Sequence, residues 1–184
     1  AAFDKTMEKL NLDYLDLYLV HWPIKGKFKE TWRALEDLYN QGKIKAIGVS
    51  NFLQHHLEDL MQDATIAPMV NQMEFHPWLV QKELQDFCKK NKIQYEAWSP
   101  LGQGNVFKNP TLKAIAEKHG KTEGQVTVRW DLQNGVITIP KSVKKEHIIS
   151  NADVFDFELS QDEMAQIDAM DKHERFGPDP DEMS

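Results

Sequence analysis

Five short apolar runs each end on residues that could bind or react. The ends read His21-Trp22-Pro23, Ser50-Asn51-Phe52, Gln72 to His76, Trp98-Ser99-Pro100-Leu101-Gly102 and Lys141-Ser142-Val143. They offer aromatic planes, amides, hydroxyls, an imidazole and a basic cluster at Lys141, Lys144 and Lys145. Nucleophilic chemistry has little to work with, because no cysteine and no paired carboxylates fall at these ends. The set suits a binding floor, with amides to orient a ligand, Trp98 as a stacking platform, and lysines before a helix start to meet an anion. Each feature has a plainer explanation: His21 as a structural histidine, Trp98 as core, Ser50-Asn51 as a turn or helix cap, the lysines as a solvated face. Recurrence at five successive ends favours one shared site. A rival site would use His21, Glu74 and His76 as metal ligands in a hydrolase. Glu74 and His76 are two apart and would share a strand face, but His76 precedes Pro77 and is expected in the loop; His55 and His56, at a helix start, are expected to face solvent.

The elements that must position these residues alternate along the chain. Strands are expected over Leu15–His21, Ala46–Ser50, Met69–Glu74, Ile93–Ser99 and Val136–Pro140. Between them Phe28, Trp32, Leu35 and Leu38 recur at helical spacing, as do Leu57, Leu60 and Met61, then Leu84, Phe87 and Cys88. An amphipathic helix is expected over 1–10, carried by Phe3, Met7 and Leu10. Gly42 supplies a helix stop, and Thr122 to Gln125 and Ser160 to Glu163 each fit a capping box that starts a helix. Such alternation predicts parallel strands joined by helical crossovers. No G-x-G-x-x-G turn announces an open nucleotide-binding sheet, since Gly102-Gln-Gly104 lacks the third glycine. The pattern favours an α/β (β/α)8 barrel, of which 184 residues and five strands are a part, against about 250 residues and eight strands for the whole. The edges near Leu15–His21 and Val136–Pro140 would then be left unpaired, and self-association or partial disorder is expected to relieve them.

Composition narrows the class further. Lys plus Arg total 22 against 29 for Asp plus Glu, a formal charge of -7, which argues against a broad nucleic-acid footprint. No run approaches the roughly 18 apolar residues of a membrane helix. The single Cys88 can form no intrachain disulfide and is read as a buried apolar residue in a cytoplasmic protein.

The strings Leu17-Tyr-Leu-Val-His-Trp-Pro23, Ile47-Gly-Val-Ser-Asn-Phe52, Val70-Asn-Gln72, Trp98-Ser-Pro-Leu-Gly102 and Ile139-Pro-Lys-Ser-Val143 resemble the aldo-keto reductases, in that family's order and spacing. The resemblance spans essentially the whole chain and is nearest to bacterial members that reduce diketogluconates and glyoxals. It implies that residues 1–184 are the carboxyl-terminal, cofactor-holding part of a single (β/α)8 domain, from about the last five βα units. Ser50, Asn51 and Gln72 would hydrogen-bond the nicotinamide carboxamide, and Trp98 would stack on that ring. Ser99, Leu101 and Gln103 would lie under the pyrophosphate, with Lys141, Ser142, Val143, Lys144, His147 and Asn151 around the adenosine. His147 stands where the family usually has arginine, and Ser150 where it has glutamate. An arginine is a permanent bidentate phosphate partner and a histidine is not, so NADPH is expected with appreciable use of NADH.

Of the family's catalytic groups, which resemble a tyrosine acid tuned by lysine and aspartate with a histidine that orients the carbonyl, only His21 maps here. Tyr14, Tyr18, Tyr39 and Tyr95 read as packing residues in strand and helix patterns. The isolated chain is therefore expected to bind cofactor without turning over, while the longer protein, a monomer, reduces small aldehydes and ketones. Trp22 and the tail Phe176 to Ser184 are expected to border the substrate pocket. A non-catalytic nicotinamide-binding or structural relative is the alternative.

Overall fold

In a computed structural model, residues 2–183 are described; Ala1 of the expected first helix and Ser184 of the tail lie outside them. Five parallel strands, β1 (Leu15–Val20), β2 (Ile44–Ser50), β3 (Val70–Glu74), β4 (Gln94–Trp98) and β5 (Ile137–Thr138), pair in sequence order. Register runs Val20 to Val49, Ser50 to Gln72 and Glu74 to Trp98, so the strand ends align along one rim. Helices α1 (Ala2–Leu10), α2 (Phe28–Asn40), α3 (Gln54–Asp63), α4 (Lys82–Lys90), α5 (Pro110–His119), α6 (Glu123–Gln133), α7 (Lys145–Ala152) and α8 (Gln161–Asp168) form the rest, with 3-10 segments at Gly102–Lys108 and Pro180–Glu182.

Strands β2 to β4 are buried almost throughout, as a parallel strand covered on both faces should be. Gly48 lets β2 and β3 approach closely: a Cβ there would lie 2.6 Å from Val70 O. The core gathers Trp32, Ile47, Phe52, Leu57, Phe75, Trp130 and Ile167, with the Phe75 and Trp130 rings stacked at 4.7 Å. Local signals hold. Thr122 Oγ1 accepts from Gln125 N at 3.2 Å while Gln125 Oε1 accepts from Thr122 N, and Ser160 with Glu163 repeats the exchange. Gly42 follows α2 at φ +72, closing the helix in the left-handed region.

Two expectations change. β2 begins at Ile44 rather than Ala46, because Leu15 pairs with Ile44 at the bottom of the sheet. β5 has two residues instead of five: only Ile137 and Thr138 find partners, on β4, and no described strand lies beyond it. Both outer strands are thus open edges, as anticipated.

Candidate functional site

Asn51 laces four strand ends together. It sits at φ +63 just past β2, where its Nδ2 donates to His21 O at 3.0 Å and to Ser50 Oγ at 3.2 Å. Its Oδ1 accepts from Trp98 Nε1 at 2.8 Å, and Ser50 Oγ donates to Gln72 O at 2.9 Å. Ser50 and Asn51 are buried, so every donor in this knot is committed to protein. Gln72 Nε2 donates to Glu96 Oε1 at 2.6 Å, which leaves Gln72 Oε1 as a spare acceptor among the described residues. Among those residues, too, no aromatic ring stacks on the half-buried Trp98, so its plane is held by its edge.

The carboxyl-terminal segment crosses this knot. Phe176 N donates to Glu74 Oε1 at 2.7 Å and Gly177 N to both Glu74 oxygens at 3.2 Å. His76 Nε2 lies 3.1 Å from the same Oε1, and its ring stacks on Phe176 at 4.6 Å. Gln103 Nε2 donates to Phe176 O at 3.1 Å. Burial of Glu74 opposes its charge, but the bonds from His76 and from the Phe176 and Gly177 N–H groups prevail and hold the carboxyl below its usual range. Phe176 and Gly177 of the tail therefore lie against the ends of β3 and β4.

Beside Trp98 a cleft of about 560 Å³ opens between the β4 and β5 loops. Ser99, Leu101, Gln103, Lys141, Ser142, His147 and Asn151 line it, as does Ser150. Val143 and Lys144 do not; both are exposed at the start of α7. Asn51, Ser99 and Gln103 are three of the seven described non-glycine residues with positive φ, so the rim is backbone held in sparsely populated geometry. The α7 N-terminus has no side-chain cap, and Lys144 is its N-cap residue; His147 N donates back to Lys144 O at 3.1 Å, so the Lys145 and Glu146 N–H groups are the first-turn donors left beside the lysines.

His21 is exposed just past β1, with the half-buried Trp22 ring 5.8 Å away. The proposed metal set of His21, Glu74 and His76 does not converge. Among the described residues, three potential ligands gather only at His55, His56 and Asp181. There His56 Nδ1 accepts from Leu53 N at 3.2 Å, so a neutral His56 carries its proton on Nε2, facing Asp181 Oδ1 at 3.4 Å, and offers no lone pair there. His56 is buried, not solvent-facing, because the tail bearing Asp181 folds back onto α3; His55 alone is exposed.

No tyrosine reaches the mouth. Tyr95 is buried and Tyr18 packs against Phe3. Tyr14, expected as a packing residue, instead precedes β1 and is exposed, with Lys45 Nζ 3.7 Å over its ring and 3.2 Å from Asp16. That tyrosine, lysine and aspartate lie at the opposite end of the sheet from His21, roughly 20 Å away at about 3.3 Å per strand residue.

The residue patterns had missed Glu74 as the tail's anchor, and Phe107, Thr122 and Gly124 as cleft walls. Gly124 offered one signal: a glycine in the first turn of a capped helix lets the Phe107 ring approach to 3.2 Å of where a Cβ would stand.

Residues 1–172 match the model of the Aldo/keto reductase family. Glyoxal reductase of Bacillus subtilis (strain 168) is 66% identical over 183 residues, covering 100% of this chain and 66% of that relative. Methylglyoxal reductase DkgA of Escherichia coli (strain K12) is 44% identical over 181 residues, covering 96% of this chain and 66% of its own length. Among solved structures, a Gox0644 variant in complex with NADPH shares 46% identity with a TM-score of 0.95, covering 98% of this chain and 68% of that one. A Bombyx mori aldo-keto reductase in complex with NADP shares 35% identity with a TM-score of 0.91 over 98% of this chain and 65% of that one. The chain thus spans about two thirds of the length of its relatives, 66% of the glyoxal reductase, and folds as the corresponding part of their (β/α)8 barrel. Both the family model and these relatives place it in the aldo/keto reductase family.

Proposed function

We propose that this chain holds NADP(H) along the rim of its sheet, and that the complete protein reduces small carbonyl compounds such as glyoxal. The observation that carries this reading is one continuous path. It runs from the Asn51–Trp98 knot, through Ser99, into the cleft that ends at Lys141, His147 and Asn151. Support also comes from the related structures that hold NADPH and NADP, and from the relatives named for glyoxal and methylglyoxal.

The residues present fit the dinucleotide. Trp98 offers an unstacked face to a nicotinamide, and Gln72 Oε1 is free to accept from its carboxamide N–H. Ser50 and Asn51 hold Trp98 and Gln72 in place and contribute their remaining acceptor capacity. Ser99, Leu101 and Gln103 underlie the pyrophosphate. Lys141, Ser142, Val143 and Lys144, with the uncapped α7 start, receive the adenosine and its phosphate, and His147 and Asn151 flank it. When bound, the cofactor supplies the hydride; the protein supplies position and electrostatics. His21 orients the substrate carbonyl, and Trp22 walls the substrate. Proton delivery to the carbonyl oxygen needs an acid from outside residues 2–183, since no described tyrosine stands at the mouth.

Calorimetric titration of the 184-residue chain with NADPH and with NADH tests this reading. NADPH should bind more tightly, by less than roughly a hundredfold, or about 2.7 kcal/mol. Absence of binding to either would overturn it. Glyoxal added to the chain with NADPH should give negligible turnover, and normal turnover would contradict the assignment of the acid.

A further inference from the structure

The carboxyl-terminal segment lies directly against the edge of the ring on which the proposed cofactor site depends. Trp98 is held at one end of its indole by Asn51 Oδ1, 2.8 Å from Nε1. At the other end is Gly177, where a Cβ would stand 2.3 Å from Trp98 Cη2 and 3.3 Å from Glu74 Oε2. That distance is far inside van der Waals contact, so only a residue without a side chain fits. Both restraints act at the ring's edge, and among the described residues no aromatic ring stacks on its face.

What keeps Gly177 there is Glu74. Its carboxylate is fully buried, the residue is itself Trp98's register partner on β3, and it accepts from the N–H groups of Phe176 and Gly177, residues more than 100 positions away in sequence. Bonds from N–H groups to a buried carboxylate are charge-assisted and stronger than neutral ones. Phe176 is fixed in turn, its ring stacked on His76 and packed near Gly102, where a Cβ would lie 3.2 Å from it.

We propose that Glu74 is a positioning residue for Trp98: it clasps the backbone at Phe176 and Gly177, and Gly177 acts as a backstop that sets the indole where a nicotinamide ring can stack on it. This inference rests on the reading of Trp98 as the stacking platform. Glu74 touches neither cofactor nor substrate; it acts through the tail. The backstop also explains a glycine at a place that demands no left-handed backbone, since Gly177 does not have the positive φ of the turn glycines.

The test uses Glu74→Gln and Gly177→Ala in the full 184-residue chain, each with and without Trp98→Phe. Subtracting the Trp98→Phe counterpart isolates the emission of Trp98 from that of the other four tryptophans. Both variants should shift that emission and weaken NADPH binding roughly tenfold, about 1.4 kcal/mol. Glu74→Gln alone should also expose the tail to proteolysis after Arg175. In the Trp98→Phe background, which removes Cη2, Gly177→Ala should have no further effect on the tail or on NADPH binding. A purely structural glycine would not show that rescue. Wild-type emission and wild-type affinity in Gly177→Ala would overturn the proposal, even should Glu74→Gln fail to fold. Should the unaltered chain bind no NADPH, the cofactor reading fails by itself, and the emission and proteolysis results still decide whether Glu74 and Gly177 position the indole.

Discussion

The two ends of the proposed cofactor path are built on opposite plans. Around Ser50, Asn51, Gln72 and Trp98 the donors are engaged, the backbone at Asn51 and the adjacent Ser99 is held at positive φ, and a buried carboxylate ties down the tail. From Lys141 to Asn151 the side chains are mostly exposed, α7 buries none of its residues, and Ile148 and Ile149 face outward at 55% and 60% exposure. The first plan fixes an orientation, which a reacting ring needs. The second offers charge with little prior order, which suits a phosphate that requires attraction more than alignment.

That contrast predicts the largest effect at the knot. Asn51→Ala removes a hub of three side-chain hydrogen bonds and puts alanine at φ +63, so we expect a loss of about 3 kcal/mol in urea unfolding. A loss below about 1 kcal/mol would mean the network is ornamental.

Acidity should separate the two ends next. Glu74, at the knot, has a carboxyl held below 4.5 in the folded chain, so it contributes stability above that value that disappears as pH falls through the folded pKa. Asp131, on α6 behind β5, is the reverse: burial pushes its carboxyl well above 3.8 and outweighs the opposing effect of the Thr138 hydroxyl. The folded state keeps a proton that the unfolded chain loses, so stability declines as pH rises from 3.8 through the raised value. Urea midpoints measured against pH should fall less steeply toward acid in Glu74→Gln, the remaining slope coming from Glu163 and other paired carboxylates, and should decline less with rising pH in Asp131→Asn. Matching profiles for both variants would erase the distinction.

At the open end, His147→Arg should tighten NADPH by roughly fivefold to tenfold, leaving NADH affinity and the urea midpoint unchanged. A stability change there would show α7 to be more ordered than its exposure indicates. Smallest of all, Lys141→Met should weaken NADPH about threefold in dilute buffer and less in 1 M salt, as a screened surface charge would. An effect that salt leaves untouched would place Lys141 in a desolvated site instead.

Much of the scaffold was legible because its signals are local. Capping boxes at Thr122 and Ser160, the stop at Gly42 and the period of Phe28 to Leu38 involve residues within a few positions of one another. The strand ends could be read for the same reason, and Ser99, Leu101, Gln103, Lys141, Ser142, His147 and Asn151 do line one cleft. Where sequence reading failed, the cause lay far along the chain. His56 is buried by a tail about 125 residues later. Glu74 looked like a metal ligand until the Phe176 and Gly177 N–H groups reached it from more than 100 residues away. β5 is short because pairing needs a neighbour, and β4 alone supplies one.

Proton NMR of the 184-residue chain saturated with NADP shows whether the nicotinamide ring lies on Trp98. Stacking predicts nuclear Overhauser contacts between the Trp98 ring protons and the nicotinamide ring, lost in Trp98→Phe. Saturable binding with nicotinamide contacts to other residues and none to Trp98 would contradict the account.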